Sequence, residues 1–148
     1  MQDQTPPLAP QSVPAPSPTA AGSATPKKVL LIEDEHFIGE LYIRALTRAG
    51  YATTNVIDGQ QGLAEALTDK YDIVMLDIMV PTITGFEILR QLHNDAGQRR
   101  IRAKIIVTTN LEQSDESRAE VERQADGYII KAEVTPRQLV EFLNQLQL

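Results

Sequence analysis

The chain has 148 residues, 14 Lys and Arg against 20 Asp and Glu, a formal net charge of -6, and no cysteine. Those figures allow one domain with a modest appendage, exclude disulfides, thiolate metal sites and thiol nucleophiles, and give no general attraction to phosphate backbones or anionic lipid. No apolar run approaches the roughly 18 residues of a membrane span and the N-terminus lacks a secretory signal, so no membrane insertion and a cytoplasmic location are expected.

Residues 1–26 hold seven of the nine prolines and one charged side chain, Asp3, whereas every Lys and Arg follows. That composition cannot bury enough apolar area to offset chain entropy. A disordered Pro/Ala/Ser-rich leader over 1–26 and one folded domain over 27–148 are expected.

From Lys28 onward, short apolar runs alternate with amphipathic stretches of helical length. The runs are Val29–Ile32, Ala52–Val56, Ile73–Leu76, Ile105–Thr109 and Tyr128–Ile130, and their shortness and aliphatic content predict five parallel strands covered on both faces. Between them, Phe37, Ile38, Leu41, Ala45 and Leu46 predict a first helix stopped by Gly50. Leu63, Ala64, Ala66 and Leu67 mark a second, and Phe86, Ile88, Leu89 and Leu92 a third. A fourth, from about Ser114 to Gln124, offers only Ala119 and Val121 to a core and should be weakly held. Thr135 is placed to cap, and Pro136 to open, a fifth carrying Leu139, Val140, Leu143 and Leu146. The fold class is therefore α/β, a doubly wound sheet.

Ligands of an open parallel sheet bind at the carboxyl ends of its strands. Four of the five runs end in chemistry: Glu33-Asp34, Asp77, Thr108-Thr109 and Lys131. Carboxylates converging with one ammonium make a hard oxygen site for a magnesium-sized cation, an arrangement otherwise unfavourable for like charges. His36 and His93 fall on expected helix surfaces, and the basic cluster Arg99, Arg100, Arg102 and Lys104 is short, so direct nucleic-acid binding is not expected.

The run Lys-Val-Leu-Leu-Ile-Glu-Asp-Glu at 28–35 resembles the first strand and acidic pair of response-regulator receiver domains. Asp-Ile-Met-Val-Pro at 77–81 with Gly85 resembles that family's phosphoacceptor loop. Ile-Ile-Val-Thr-Thr-Asn at 105–110 and Asp-Gly-Tyr-Ile-Ile-Lys at 126–131 resemble its fourth and fifth strands. The resemblance covers residues 28–148 in order and implies a flavodoxin-like five-stranded sheet of order 2-1-3-4-5 with five helices. It implies that Asp77 accepts a phosphoryl group from a histidine kinase or histidine phosphotransfer protein. Mg2+, or Mn2+, would be held by Asp34, Asp77 and the backbone carbonyl of Met79, with Glu33 acting through water. Thr109 and Lys131 would contact phosphoryl oxygens, and Thr109 with Tyr128 would form the switch. Spacing alone leaves Thr108 and Thr109 both open; Thr109 is favoured because the small Asn110 follows it. No organic cofactor, and no enzyme activity beyond self-phosphorylation and slow autodephosphorylation, is implied.

Two positions depart from the family pattern. Ala132 follows Lys131 where proline is usual, so a trans bond is expected there. Met79 and Leu111, two residues beyond Asp77 and Thr109, are apolar, which should slow phosphoaspartate hydrolysis. Leu148 ends the sequence one helix after Lys131, so output is expected by protein contact through the fourth helix, fifth strand and fifth helix, from a monomer or weak dimer; onward relay to a phosphotransfer protein stays open. A haloacid-dehalogenase-type phosphatase would need a second carboxylate where Met79 stands, and dinucleotide binding would need glycines where Glu-Asp-Glu-His stands. A pseudo-receiver that binds partners without phosphorylation is the remaining alternative.

Overall fold

The computed structural model describes residues 25–110 and 114–148. The expected leader, apart from its last two residues, and Leu111 lie outside the described residues.

Strands β1 (Lys28–Ile32), β2 (Ala52–Val56), β3 (Ile73–Asp77), β4 (Lys104–Thr109) and β5 (Gly127–Ile130) alternate with helices α1 (His36–Arg48), α2 (Gly59–Ala66), α3 (Gly85–Gln91), α4 (Asp115–Gln124) and α5 (Pro136–Asn144). All pairings are parallel, in the order β2-β1-β3-β4-β5. The flavodoxin-like sheet order implied by the resemblance is the one found.

Successive side chains of a strand face opposite ways, and here they feed two cores. Leu30, Ile32, Val74, Leu76, Ile105 and Val107 join Leu63, Ile88, Leu89 and Val121 on the side of α2, α3 and α4. Val29, Leu31, Ile73, Met75 and Ile106 join Tyr42, Leu46, Leu139 and Leu143 on the side of α1 and α5. Helices on both faces explain the almost continuous apolar runs of the three central strands.

Each helix starts at the carboxyl edge of the sheet with a side-chain cap: Glu35, Asp58, Thr84, Ser114 and Thr135 each accept from the backbone amide three residues on. Thr135 caps α5 and Pro136 opens it, as predicted, and Gln138 completes a capping box with Thr135. Gly50 stops α1, with its own amide on the Thr47 carbonyl and the Tyr51 amide on the Leu46 carbonyl.

Three expectations are corrected. Strand β2 is half-exposed and only Ile129 of β5 is buried, because both strands are sheet edges with polar or incomplete cover. Phe37 is 65% exposed: the buried stripe of α1 is set by Tyr42 and Leu46, with Phe37 on the solvent side of the first turn. Ala64 and Ala119 are also exposed, which leaves Val121 as the one buried residue of α4. The weak anchoring of α4 follows from that, as expected.

The loop after β3 carries backbone strain. Thr82 has φ +76, a left-handed conformation that costs a β-branched residue about 1–2 kcal/mol. Its Oγ1 accepts from the Gln60 amide at 3.1 Å and so ties this loop to α2. Thr82→Asn keeps a short acceptor and tolerates the left-handed region, and is expected to raise the urea unfolding free energy by about 1 kcal/mol. An unchanged or lower midpoint would show that the Thr82 strain is compensated elsewhere.

Candidate functional site

Parallel register brings the predicted strand ends to one edge. Ile32 pairs with Leu76, Asp77 with Thr108, and Thr109 with Ile130, so Glu33, Asp77, Thr109 and Lys131 end adjacent strands at nearly one level. Glu33, Asp77, Thr108, Thr109 and Lys131 are all buried polar residues. Gly85 lets α3 start against the acceptor's backbone, since a Cβ there would lie 2.7 Å from the Asp77 carbonyl oxygen and 2.6 Å from Ile78 Cα.

At the centre, Lys131 Nζ donates to Asp77 Oδ2 at 2.9 Å and to Glu33 Oε1 at 2.5 Å. The other oxygen of each acid takes a backbone amide: Met79 N–H donates to Asp77 Oδ1 and Glu35 N–H to Glu33 Oε2, both at 3.0 Å. Burial pulls the Lys131 ammonium down, but its hydrogen bonds to Glu33 and Asp77 outweigh this and hold its pKa above the ordinary lysine value. Charge on Lys131 is thereby secured.

Glu33, Asp34 and Asp77 each place one carboxylate oxygen within 4.8 Å of the others, with Asp34 exposed at the mouth. Two buried carboxylates and an exposed one, converging within this distance, are a donor set for a hard divalent cation, which keeps some of its own waters. The residues present therefore fit a metal of that class.

Thr109 ends β4 beside Ile130. Tyr128 is half-buried on β5, and the Arg118 guanidinium of α4 lies 4.6 Å from its ring centroid, within cation–π range. That contact depends on how α4 packs against β5 and has no local signal in the chain. Met79 presents its amide to Asp77 while its side chain is 68% exposed. There is no cis peptide bond among the described residues, and Lys131–Glu133 forms a 3-10 turn before α5, so the trans bond expected at Ala132 is found. His36 is exposed at the start of α1, and His93 follows α3 with Nδ1 2.9 Å from the Leu89 carbonyl; neither belongs to the cluster.

The family model "Response regulator receiver domain" matches residues 29–144. Among curated proteins, the alkaline phosphatase synthesis transcriptional regulatory protein PhoP of Bacillus subtilis is 32% identical over 113 residues, covering 76% of this chain and 45% of that protein. The response regulator ArlR of Staphylococcus aureus is 35% identical over 104 residues, covering 70% of this chain and 45% of that protein. The chain thus spans about half the length of the curated relatives it matches. Among solved structures, the chemotaxis response regulator CheY4 of Vibrio cholerae superposes with a TM-score of 0.70 at 28% identity, over 82% of this chain and 98% of that one. A CheY-like receiver of Methanospirillum hungatei gives 0.68 at 26% identity, over 81% and 92%.

An alternating five-stranded parallel sheet with an acid cluster and a buried lysine at its carboxyl edge is the architecture of a receiver-type signalling domain. The chain belongs to the response regulator receiver domain family of two-component systems. Among the described residues, no helix is long and apolar enough to cross a membrane.

Proposed function

We propose that this receiver accepts a phosphoryl group on Asp77 from a phosphohistidine of a histidine kinase or phosphotransfer protein, and signals by protein contact. The observation that carries the reading is the convergence of Glu33, Asp34 and Lys131 on the buried carboxylate of Asp77. An Asp77 oxygen attacks phosphorus, a P–O bond forms as the P–N bond breaks, and the electron pair leaves with the imidazole, which takes a proton. Such transfers ask for positioning and charge neutralisation more than covalent help. Lys131 supplies a fixed cation beside the acceptor, the Met79 amide holds the carboxylate's other oxygen, and Thr109 would donate its hydroxyl to a phosphoryl oxygen. Glu33, Asp34 and Asp77, with the Met79 carbonyl, would hold Mg2+ or Mn2+, which when bound offsets phosphoryl and carboxylate charge.

Phe37 and Met79, both exposed beside the acidic turn and the acceptor, offer apolar contact to the donor protein. Output runs through α4, β5 and α5, where α4 is anchored by Val121 and touches Tyr128 through Arg118. A weakly held element of this kind shifts with a small energy input. Direct nucleic-acid binding by this domain is not proposed, because Arg99 and Arg102 are neutralised by Asp126 and Asp69. Nor is turnover of a separate substrate, and the proposed setting is the cytoplasm.

Intact mass after incubation with acetyl phosphate and magnesium tests the reading. One added phosphoryl group that requires the metal is expected; no label together with no magnesium binding would overturn it. Met79 and Leu111 are both apolar and offer a hydrolytic water no hydrogen-bonding partner. Met79→Asn with Leu111→Glu is therefore expected to shorten the phosphoaspartate lifetime on the order of tenfold by orienting that water. An unchanged decay of labelled protein would remove this explanation.

A further inference from the structure

We infer that Asn55, on the edge strand β2 and outside the acid cluster, is a positioning residue that sets the direction of the Glu33-Asp34 turn and thereby the cluster's grip on a divalent cation. The inference deepens the function proposed above and rests on it.

The β1–β2 ladder ends at Ile32 and Val56, so Glu33 and Asp34 lie beyond regular pairing. The Glu33 amide still donates to the Val56 carbonyl at 3.0 Å. The Glu33 carbonyl belongs to the peptide unit that joins it to Asp34, and rotation of that unit would swing the Asp34 side chain away from Asp77. The side-chain amide of Asn55 lies against this carbonyl. Its Nδ2 donates to the Leu31 carbonyl at 2.9 Å and stands 3.3 Å from the Glu33 carbonyl and 3.5 Å from that of Val56. Three acceptors gathered on one end of the amide fix which end is nitrogen. No other residue type of this size supplies two donors from a strand position without charge.

Helix α1 is shaped around the contact. A Cβ at Gly39 would stand 3.0 Å from Asn55 Oδ1 and 3.8 Å from Glu33 Cγ, so the absence of a side chain there leaves room for the amide and the acid together. Glu33 is then held at both ends, by β2 along its backbone and by Lys131 and the Glu35 amide at its carboxylate.

Partners behind the direct ligands commonly contribute about tenfold or more to metal affinity. Asn55→Leu keeps the volume and removes both donors; on a sheet edge, water can replace them, so the fold should survive. In the full chain, calorimetric titration with magnesium alone is expected to give a Kd about tenfold weaker than wild type, with a thermal midpoint close to it. Gly39→Ala, which crowds the same amide, should give a like loss, and the double variant no more than either alone. Hydrogen exchange of the Asp34 and Glu35 amides in metal-free protein should quicken in both variants. A lowered midpoint with wild-type magnesium affinity and wild-type exchange at those amides would mean a merely structural Asn55 and overturn the inference. Should wild-type protein bind no magnesium, the function proposed above fails, and the exchange measurement still decides whether Asn55 holds the turn.

Discussion

Asp77→Asn is expected to abolish phosphorylation altogether while leaving the metal-free protein at least as stable as wild type. The first half follows from chemistry: the amide has no anionic oxygen to attack phosphorus, and no other acid can take its place. Glu33 is buried and engaged by Lys131 and the Glu35 amide, and Asp34 is exposed at the rim. The second half follows from charge. Glu33 and Asp77 share one ammonium and lie with Asp34 in a 4.8 Å cluster of carboxylate oxygens, so removing one carboxylate relieves repulsion while an Asn oxygen can still accept from Lys131. Intact mass after acetyl phosphate treatment and urea unfolding without metal check the two halves. A label retained on the variant would place the acceptor elsewhere. A large loss of stability would show that the Asp77–Lys131 pair contributes more than the repulsion it sits among.

Much of this site was legible because its chemistry sits at fixed places in a repetitive fold. Short apolar runs marked the strands, and the polar residue ending four of the five runs was the one that reached the common edge. The helix stops and starts at Gly50, Thr135 and Pro136 were legible for the same reason, since a cap depends on a few adjacent residues. What could not be read depends on neighbours distant in sequence. Phe37 satisfies the period of a buried stripe, yet in the first turn of α1 it stands exposed while Tyr42 and Leu46 take the buried positions. Ala52–Val56 reads as a strand, but nothing in it says that it is an edge. Asn55 looks like an unremarkable polar residue of that edge until Gly39 and the Glu33 carbonyl are brought beside it. The Arg118–Tyr128 contact likewise appears only when α4 and β5 are assembled.

Lys131→Met tests the other half of the centre and is expected to be costly in rate and in stability. Loss of a preorganised cation aimed at developing charge lowers phosphorylation by about 100-fold or more. The fold also loses the only ammonium in the cluster. Removing one partner of a buried ion pair typically costs about 3 kcal/mol, because the other is left desolvated and unpaired. In wild type, burial already pushes Glu33 upward, and the Lys131 hydrogen bond opposes that push. Without Lys131, the folded-state pKa of Glu33 rises further above its unfolded value of about 4.3. A carboxyl raised in the folded state stabilises most fully below its unfolded pKa, and that contribution is lost as pH rises through the folded value. The variant should therefore approach wild-type stability near pH 4.5 and fall behind it toward pH 8, with magnesium restoring part of the loss by supplying the missing positive charge. Urea midpoints at those two pH values, with and without the metal, decide the matter: a gap that stayed constant with pH would mean that Lys131 acts through packing of its stem and not through its charge on Glu33 and Asp77.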